Sequence, residues 1–167
     1  MIATFLRRLL WVIMLILVQG LILNRVNVMG YATPMIYIYF LTDFAKGSNR
    51  SALLLWGFVI GLLADFFTNT PGIAAASCTL VAFVQPNFLN VFAPRDSADD
   101  FHPSLKSMGV GSYFRYLLTL TFIFQSLYYL LEVFSLTHPD DIYINIVGGT
   151  LFTVVLMMAI ASMRKEK

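Results

Sequence analysis

The stretch from Gly57 to Gly72 reads GFVIGLLADFFTNTPG and sets the pattern for the rest of the chain. Gly57, Gly61 and Asp65 recur every four residues, so on a helix they form a single stripe. Small residues at this spacing let the backbone of another helix come close. The spacing therefore predicts a helix-packing face that ends in a carboxylate.

A turn follows this stripe. Thr70 and Pro71 are typical of the N-cap and first-turn proline of a second helix, which predicts a tight hairpin between two helices. Two interpretations of Asp65 follow. Its carboxylate bonds the turn or the start of the second helix, where the helix dipole favours it. Alternatively, it presents a polar group to a partner or a pocket.

Composition excludes an ordinary soluble domain. The chain has 167 residues, of which 59% are hydrophobic and 12% charged, and its mean hydropathy is +0.78. Soluble domains are about half apolar and a quarter charged. The length indicates one domain, residues 1–167. A single cysteine excludes an intrachain disulfide, and a net charge of +2 gives no indication of a nucleic-acid partner.

Apolar runs long enough to cross a bilayer recur along the chain. They predict an all-α polytopic membrane protein with six spans: Phe5–Leu23, Val28–Phe44, Ala52–Phe67, Gly72–Phe92, Tyr113–Phe134 and Ile142–Met163. The second and third runs are the shortest. If both failed as spans, four would remain and the two termini would still share one side.

The distribution of basic residues agrees with six spans. All of the 11 Lys and Arg residues except Arg25 then lie on one side of the membrane. Because cytoplasmic loops carry the excess of Lys and Arg, both termini are expected in the cytoplasm and Arg25 outside. Tyrosines near the ends of the fifth span are expected at the lipid headgroups: Tyr113, Tyr116, Tyr128 and Tyr129.

Several polar groups fall within the predicted spans. Pro34 and Pro86 interrupt the second and fourth spans and free backbone groups that neighbouring helices must satisfy. Gln19, Gln85 and Gln125 are amides at membrane depth. Hydrogen bonds between helices are the expectation for these amides. Clustered together, they would alternatively line a small-molecule cavity.

Charges near the outer surface suggest a further contact. Glu132 lies near the outer end of the fifth span. Arg25 is the one basic residue predicted on that side, so a pairing of Arg25 with Asp65 or with Glu132 is a specific hypothesis. On the cytoplasmic side, Ala93–Ser112 is predicted to be an irregular polar loop, with Ser112 capping the next helix.

No constellation for catalysis is visible. The two histidines, His102 and His138, are predicted on opposite sides of the membrane and so form no dyad and share no metal. The chain has no phosphate-binding glycine loop and no paired acid and base at membrane depth. A non-enzymatic protein with no cofactor and no metal is therefore expected. A membrane enzyme acting on lipid-linked substrates is the less favoured alternative.

The region from Asn24 to Asp96 resembles the rod shape-determining protein MreD family, in a form associated with Bacteroidota. The resemblance rests on five stretches: Ala32–Tyr39, Gly57–Asp65, Asn69–Gly72, Phe92–Asp96 and Leu130–Phe134. It implies a non-enzymatic multi-pass subunit of the bacterial inner membrane that serves cell elongation and lateral peptidoglycan synthesis. The partners it implies are MreC, the MreB cytoskeleton, and the RodA glycosyltransferase with its transpeptidase.

The family is also similar in fold to the S components of energy-coupling-factor vitamin transporters, which implies an outward-facing pocket. A vitamin-binding S component is therefore the alternative function. The glycine stripe is a candidate packing face, either within this subunit or against the transmembrane helix of MreC. Ala93–Ser112 and the basic C-terminus are candidate contacts for MreB or for membrane lipids. The candidate partner or pocket residues are Gly57, Gly61, Asp65, Pro71, Gly72, Arg25 and Glu132.

Overall fold

Helices make up all regular secondary structure in the part of the chain that the computed structural model describes, residues 2–21, 34–98, 100–135 and 142–163. In chain order they are α1 (Ile2–Leu21), α2 (Ile38–Thr42), α3 (Arg50–Thr68), α4 (Ile73–Phe92), α5 (Leu105–Met108), α6 (Val110–Ser135) and α7 (Ile142–Met163). The all-α class predicted from the sequence is therefore confirmed.

Four of these helices are long and apolar enough to cross a membrane: α3, α4, α7 and the part of α6 from Val110 to Val133. In α1, the described apolar part is Leu10–Gly20, which is shorter than any of these four helices. The apolar outer faces of the four long helices identify the chain as a membrane protein, since side chains such as Phe66, Phe83 and Val91 are more than half exposed.

Helices α3 and α4 form a hairpin with a close interface. A Cβ atom on Gly61 would lie 2.6 Å from the carbonyl oxygen of Ala74 and 2.7 Å from the backbone nitrogen of Ala75. A Cβ atom on Gly57 would lie 2.8 Å from the Cβ of Ala82. These separations are too short for a side chain, so the glycine stripe is a packing face filled by α4 of the same chain.

The centre of the bundle is occupied by a partly non-helical segment. Every residue from Pro34 to Thr42 is buried, and α2 contacts α3, α4 and α6. Ile38 and Leu41 have no exposed surface. Backbone that is not helical is tolerated at membrane depth only where protein surrounds it. The burial of residues 34–42 meets that condition.

The second predicted span differs from the structure. In the described part of Val28–Phe44, only Ile38–Thr42 is α-helical, and Pro34–Tyr37 is not. Proline has no N–H group and fixes its φ angle, which opposes a continuous helix here. The backbone N–H groups of Met35 and Ile36 bond side chains of other helices instead. The described part of this run is therefore not one continuous helix, in agreement with the interruption predicted at Pro34.

The prediction that Thr70 caps α4 is wrong. The N-cap residue is Gly72 and the helix begins at Ile73, so Thr70 does not cap it. The interruption predicted at Pro86 is wrong as well, because Pro86 lies within α4, which continues to Phe92. Gly72 has a φ of +88°, a left-handed conformation that favours glycine.

The loop Ala93–Ser112 is more ordered than expected. It contains α5, whose first turn is closed by reciprocal hydrogen bonds between Ser104 and Ser107. Helix α6 begins at Val110, so Ser112 lies inside the helix and is not its cap. Lys46 ties this loop to the one before α3, because its Nζ donates to Ser97 Oγ at 3.1 Å.

The tyrosines of α6 face the interior of the bundle, while their depth at the headgroups stays a prediction. They are at most 8% exposed and belong to the interior of the bundle: Tyr113, Tyr116, Tyr128 and Tyr129. The Tyr116 hydroxyl donates a buried hydrogen bond to the carbonyl of Thr42. A buried tyrosine normally finds such a partner, which is how a phenol is accommodated inside the bundle.

A substitution at the closest helix contact tests this packing. Gly61→Ala places a Cβ against the α4 backbone, which cannot move aside as a flexible side chain would. We expect the free energy of unfolding to fall by about 1–3 kcal/mol. The measurement is reversible unfolding of the full chain in detergent.

Gly111→Ala is the matched control, since a Cβ there meets nothing within 4 Å. Because alanine is a better helix former than glycine, this variant should be as stable as the wild type or slightly more so. Equal stability of Gly61→Ala and Gly111→Ala would contradict the close α3–α4 contact.

Candidate functional site: the Asp65 hairpin and the buried amides

The Asp65 carboxylate is buried at the start of α4 and accepts four hydrogen bonds. Oδ1 accepts from the N–H of Ala74 at 2.8 Å and from Thr70 Oγ1 at 3.1 Å. Oδ2 accepts from the N–H groups of Gly72 at 3.1 Å and Ala75 at 3.0 Å. These three N–H groups lack partners inside the helix, and Gly72 has no side chain to cap them. Asp65 therefore caps α4 from the preceding helix.

The backbone of Asp65 closes α3 at the same point. Its carbonyl oxygen accepts from the N–H of Asn69, the C-cap residue, and from that of Thr70 at 3.3 Å. Asn69 has a left-handed φ of 56°, which asparagine tolerates better than most residues. One residue thus ends α3 with its carbonyl and begins α4 with its side chain.

This arrangement gives the Asp65 carboxylate a structural role. The positive end of the α4 dipole and three N–H donors offset its negative charge. A carboxylate has about four lone-pair sites, and the four hydrogen bonds that the Asp65 carboxylate accepts all come from this hairpin. The side chain is 5% exposed. Of the two interpretations from the sequence, the bond to the turn and to the helix start is confirmed.

A second polar cluster joins α1, α6 and α7 to the buried residues 34–42, the central segment. Gln19 Nε2 donates to the Pro34 carbonyl at 2.6 Å, and Gln19 Oε1 accepts from the Ile36 N–H at 2.9 Å. The Met35 N–H donates to Thr153 Oγ1 at 3.2 Å, and Gln125 Nε2 donates to the same oxygen at 3.4 Å. These side chains satisfy the backbone groups that the Pro34 break leaves open.

A third cluster fixes the other end of the segment. Gln85 Nε2 donates to the Phe44 carbonyl at 3.2 Å and to the Tyr116 hydroxyl at 2.9 Å. Tyr116 in turn donates to the Thr42 carbonyl at 3.0 Å. The end of α2 is therefore held by side chains of α4 and α6. The predicted hydrogen bonds between elements are confirmed for Gln19, Gln85 and Gln125.

The other predicted site residues lie apart from these clusters. Pro71 and Gly72 are exposed in the α3–α4 turn, and Glu132 is half-buried on α6. Arg25 lies outside the described residues, as does His138, so the pairings proposed for Arg25 stay predictions. The Tyr128 hydroxyl lies 3.5 Å from Thr70 Oγ1 and brings α6 to the hairpin.

An open apolar groove of about 560 Å³ runs along the outer side of the hairpin. Gly72 contributes to its wall, whereas Gly57, Gly61 and Asp65 do not. Its other lining residues are largely apolar and include Leu54, Phe58, Leu62, Ala76, Leu80 and Phe83. Its lining has little polar surface, which suits hydrocarbon and gives no basis for recognising a polar ligand.

The chemistry of the described residues is that of structural polar contacts. Within the ranges described above, no group of three or more His, Cys, Asp and Glu side chains is placed to hold a metal ion. Cys78 is fully buried in α4, and its carbonyl would lie 3.0 Å from a Cβ on Gly57. It serves as a small residue at the helix contact.

Sequence reasoning did not identify two members of the buried network. Thr153 accepts from two partners and donates to the Gly149 carbonyl at 2.6 Å. Tyr116 bridges α2 and α4. The spacing of Gly149 and Thr153 by four residues places them on one face of α7, but their partners come from residues far away in the chain.

The chain matches no protein-family model, no curated protein and no solved structure.

The Asp65 cap generates a stability prediction. Asp65→Asn removes the charge and turns an NH₂ group toward backbone N–H donors, so two bonds are lost and donors oppose each other. We expect a loss of about 2–4 kcal/mol in the free energy of unfolding. Thr70→Val, which removes one neutral donor from the same carboxylate, should cost only about 1 kcal/mol. Unfolding in detergent measures both, and an Asp65→Asn variant as stable as Thr70→Val would rule out the capping role.

Tyr116 provides a test of the central segment. Tyr116→Phe leaves the Thr42 carbonyl without its tyrosine donor and Gln85 without one acceptor, which should lower stability by about 1–3 kcal/mol. Tyr143→Phe is the control, because Tyr143 is 86% exposed and its variant should match the wild type. Thermal unfolding of both proteins gives the comparison, and no difference between them would refute this role for the hydroxyl.

Proposed function

We propose that this protein is a non-enzymatic scaffold or regulatory subunit of the bacterial cell-elongation machinery, a member of the MreD family that acts with an MreC-like protein. The observation that carries this proposal is the stretch from Gly57 to Gly72. Two of the five stretches that resemble the family, Gly57–Asp65 and Asn69–Gly72, form the capped α3–α4 hairpin. This part of the resemblance thus falls on a defined structural element.

The physical character of the chain supports a role in binding other membrane proteins. The described loops are short, and the loop before α5 is tied to its neighbour by Lys46. Such a chain meets partners mainly through outer helix faces, loop surfaces and lipids. The proposed partners are an MreC-like protein, the RodA glycosyltransferase with its transpeptidase, and the MreB cytoskeleton.

The fold limits which helix faces are available to a partner. Gly57, Gly61 and Asp65 face α4 and its N-terminus, so substitutions there alter the hairpin itself. A partner helix therefore contacts other faces. Loss of binding on substitution at these three positions would report misfolding unless the stability of the variant were measured at the same time.

The proposal includes six membrane crossings in the bacterial inner membrane, with α1 and the region 28–44 crossing in addition to the four long helices. Both termini and residues 93–112 are then cytoplasmic, and the α3–α4 turn is outside. This arrangement keeps every basic residue except Arg25 on the cytoplasmic side.

Cysteine accessibility tests the six crossings. In a Cys78→Ala background, Pro71→Cys should react with a membrane-impermeant maleimide in intact spheroplasts, because the turn is exposed. Ser48→Cys and Asp100→Cys should react only after the membrane is opened. Labelling of Ser48→Cys from outside would mean that the region 28–44 does not cross, and six spans would then be wrong.

Copurification tests the function. The tagged full chain is isolated from its native membrane in mild detergent, and its companions are identified by mass spectrometry. An unrelated tagged membrane protein of similar size serves as the control. Specific recovery of an MreC-like protein and the elongation synthase is expected. Recovery of transporter ATPase subunits with a stoichiometric vitamin, and no cell-wall proteins, would favour an S component and overturn the proposal.

A further inference from the structure

The strongest unexplained feature of the interior is a group of buried polar atoms without partners on α6 and α7. Four side-chain atoms of the described residues are buried and accept or donate no hydrogen bond, and three of them lie on these two helices: Gln125 Oε1, Asn145 Oδ1 and Thr150 Oγ1. We propose that an internal water binds here and donates a hydrogen bond to Gln125 Oε1.

The orientation of the Gln125 amide is set by its neighbours. Thr153 donates its hydroxyl proton to the Gly149 carbonyl at 2.6 Å. Its oxygen can then only accept from Gln125, so the nitrogen of the amide faces Thr153 at 3.4 Å. Exchanging the amide oxygen and nitrogen would place two acceptors together. Oε1 therefore points elsewhere and needs a donor.

Burial makes that need strong. Gln125 has no exposed surface and Thr150 is 4% exposed, so neither meets bulk solvent. An amide oxygen in an apolar interior without a donor costs about 1–3 kcal/mol. Internal waters characteristically join two to four polar groups that would otherwise lack partners.

Gln125 packs against the part of α7 that carries Asn145 and Thr150. The Gln125 amide packs on Gly149, since a Cβ there would lie 3.3 Å from its Cδ and 3.4 Å from Oε1. Asn145 is one helical turn before Gly149 on the same face of α7, and Thr150 is the next residue. Two acceptor oxygens and a hydroxyl, all neutral, match a water molecule that donates twice and accepts once.

The water extends the network that holds the central segment. Gln19 bonds residues 34 and 36 from α1, and Thr153 links residue 35 to Gln125. Water at Gln125 Oε1 joins this chain to Asn145 and Thr150. The inference concerns the interior alone and holds whether or not the proposed partners are correct.

Thr150→Val tests the site because valine has the shape of threonine and lacks its hydroxyl. If the hydroxyl bonds a water, the variant loses that bond and its melting temperature falls by about 2–4 °C. If the hydroxyl has no partner, valine removes a buried polar group and the melting temperature rises. Thr119→Val is the control, since Thr119 is only partly buried and bonds its own helix at the Arg115 carbonyl. Thr150→Ser keeps the hydroxyl and should retain the water.

A density map at a resolution that shows ordered waters decides the identity of the ligand. We expect a peak within hydrogen-bonding distance of Gln125 Oε1 in the wild type and in Thr150→Ser. The full chain in a lipid nanodisc is used for this measurement. A map with ordered waters elsewhere and none at Gln125 Oε1 overturns the proposal, as does a melting temperature raised by Thr150→Val.

Discussion

The rest of the fold depends on the buried carboxylate of Asp65. Its carbonyl ends α3 and its side chain begins α4, so two long helices are joined by a turn of four residues, Asn69–Gly72. In an apolar environment the first N–H groups of a helix have no water to bond, and an anion that accepts from three of them is strongly favoured. The close approach at Gly57 and Gly61 then fixes how the helices lie against each other over their length.

The same constraint explains two of the buried glutamines, Gln19 and Gln85. Pro34 prevents a continuous second helix, and residues 34–37 pass through the interior with backbone groups that need partners. Gln19 supplies two of those bonds from α1, while Gln85 bonds the segment at its other end, residue 44, from α4. An amide carries both a donor and an acceptor and no charge. It therefore substitutes for water at a smaller desolvation cost than a charged group would have.

These packing and hydrogen-bonding features limit which parts of the molecule can contact a partner. The glycine stripe, the carboxylate and the amides, for which the sequence also left a binding surface open, are directed inward and hold the bundle together. The described surface of the long helices is largely apolar and includes an open groove along α3 and α4. Asp65, Gln19 and Gln85 are thus engaged in hydrogen bonds that hold the bundle together.

The sequence by itself determined the all-α class, the membrane environment, and α3, α4, α6 and α7, since apolar length and the stripe of Gly57, Gly61 and Asp65 are local properties. It also predicted a bond from Asp65 to the turn or to the next helix. Only the tertiary structure decided that Asp65 rather than Thr70 caps α4, that the break at Pro34 extends to Tyr37, and that Tyr116 and Thr153 complete the network. Those outcomes depend on which groups from distant parts of the chain meet in the interior, and spacing along one helix carries no information about its partners.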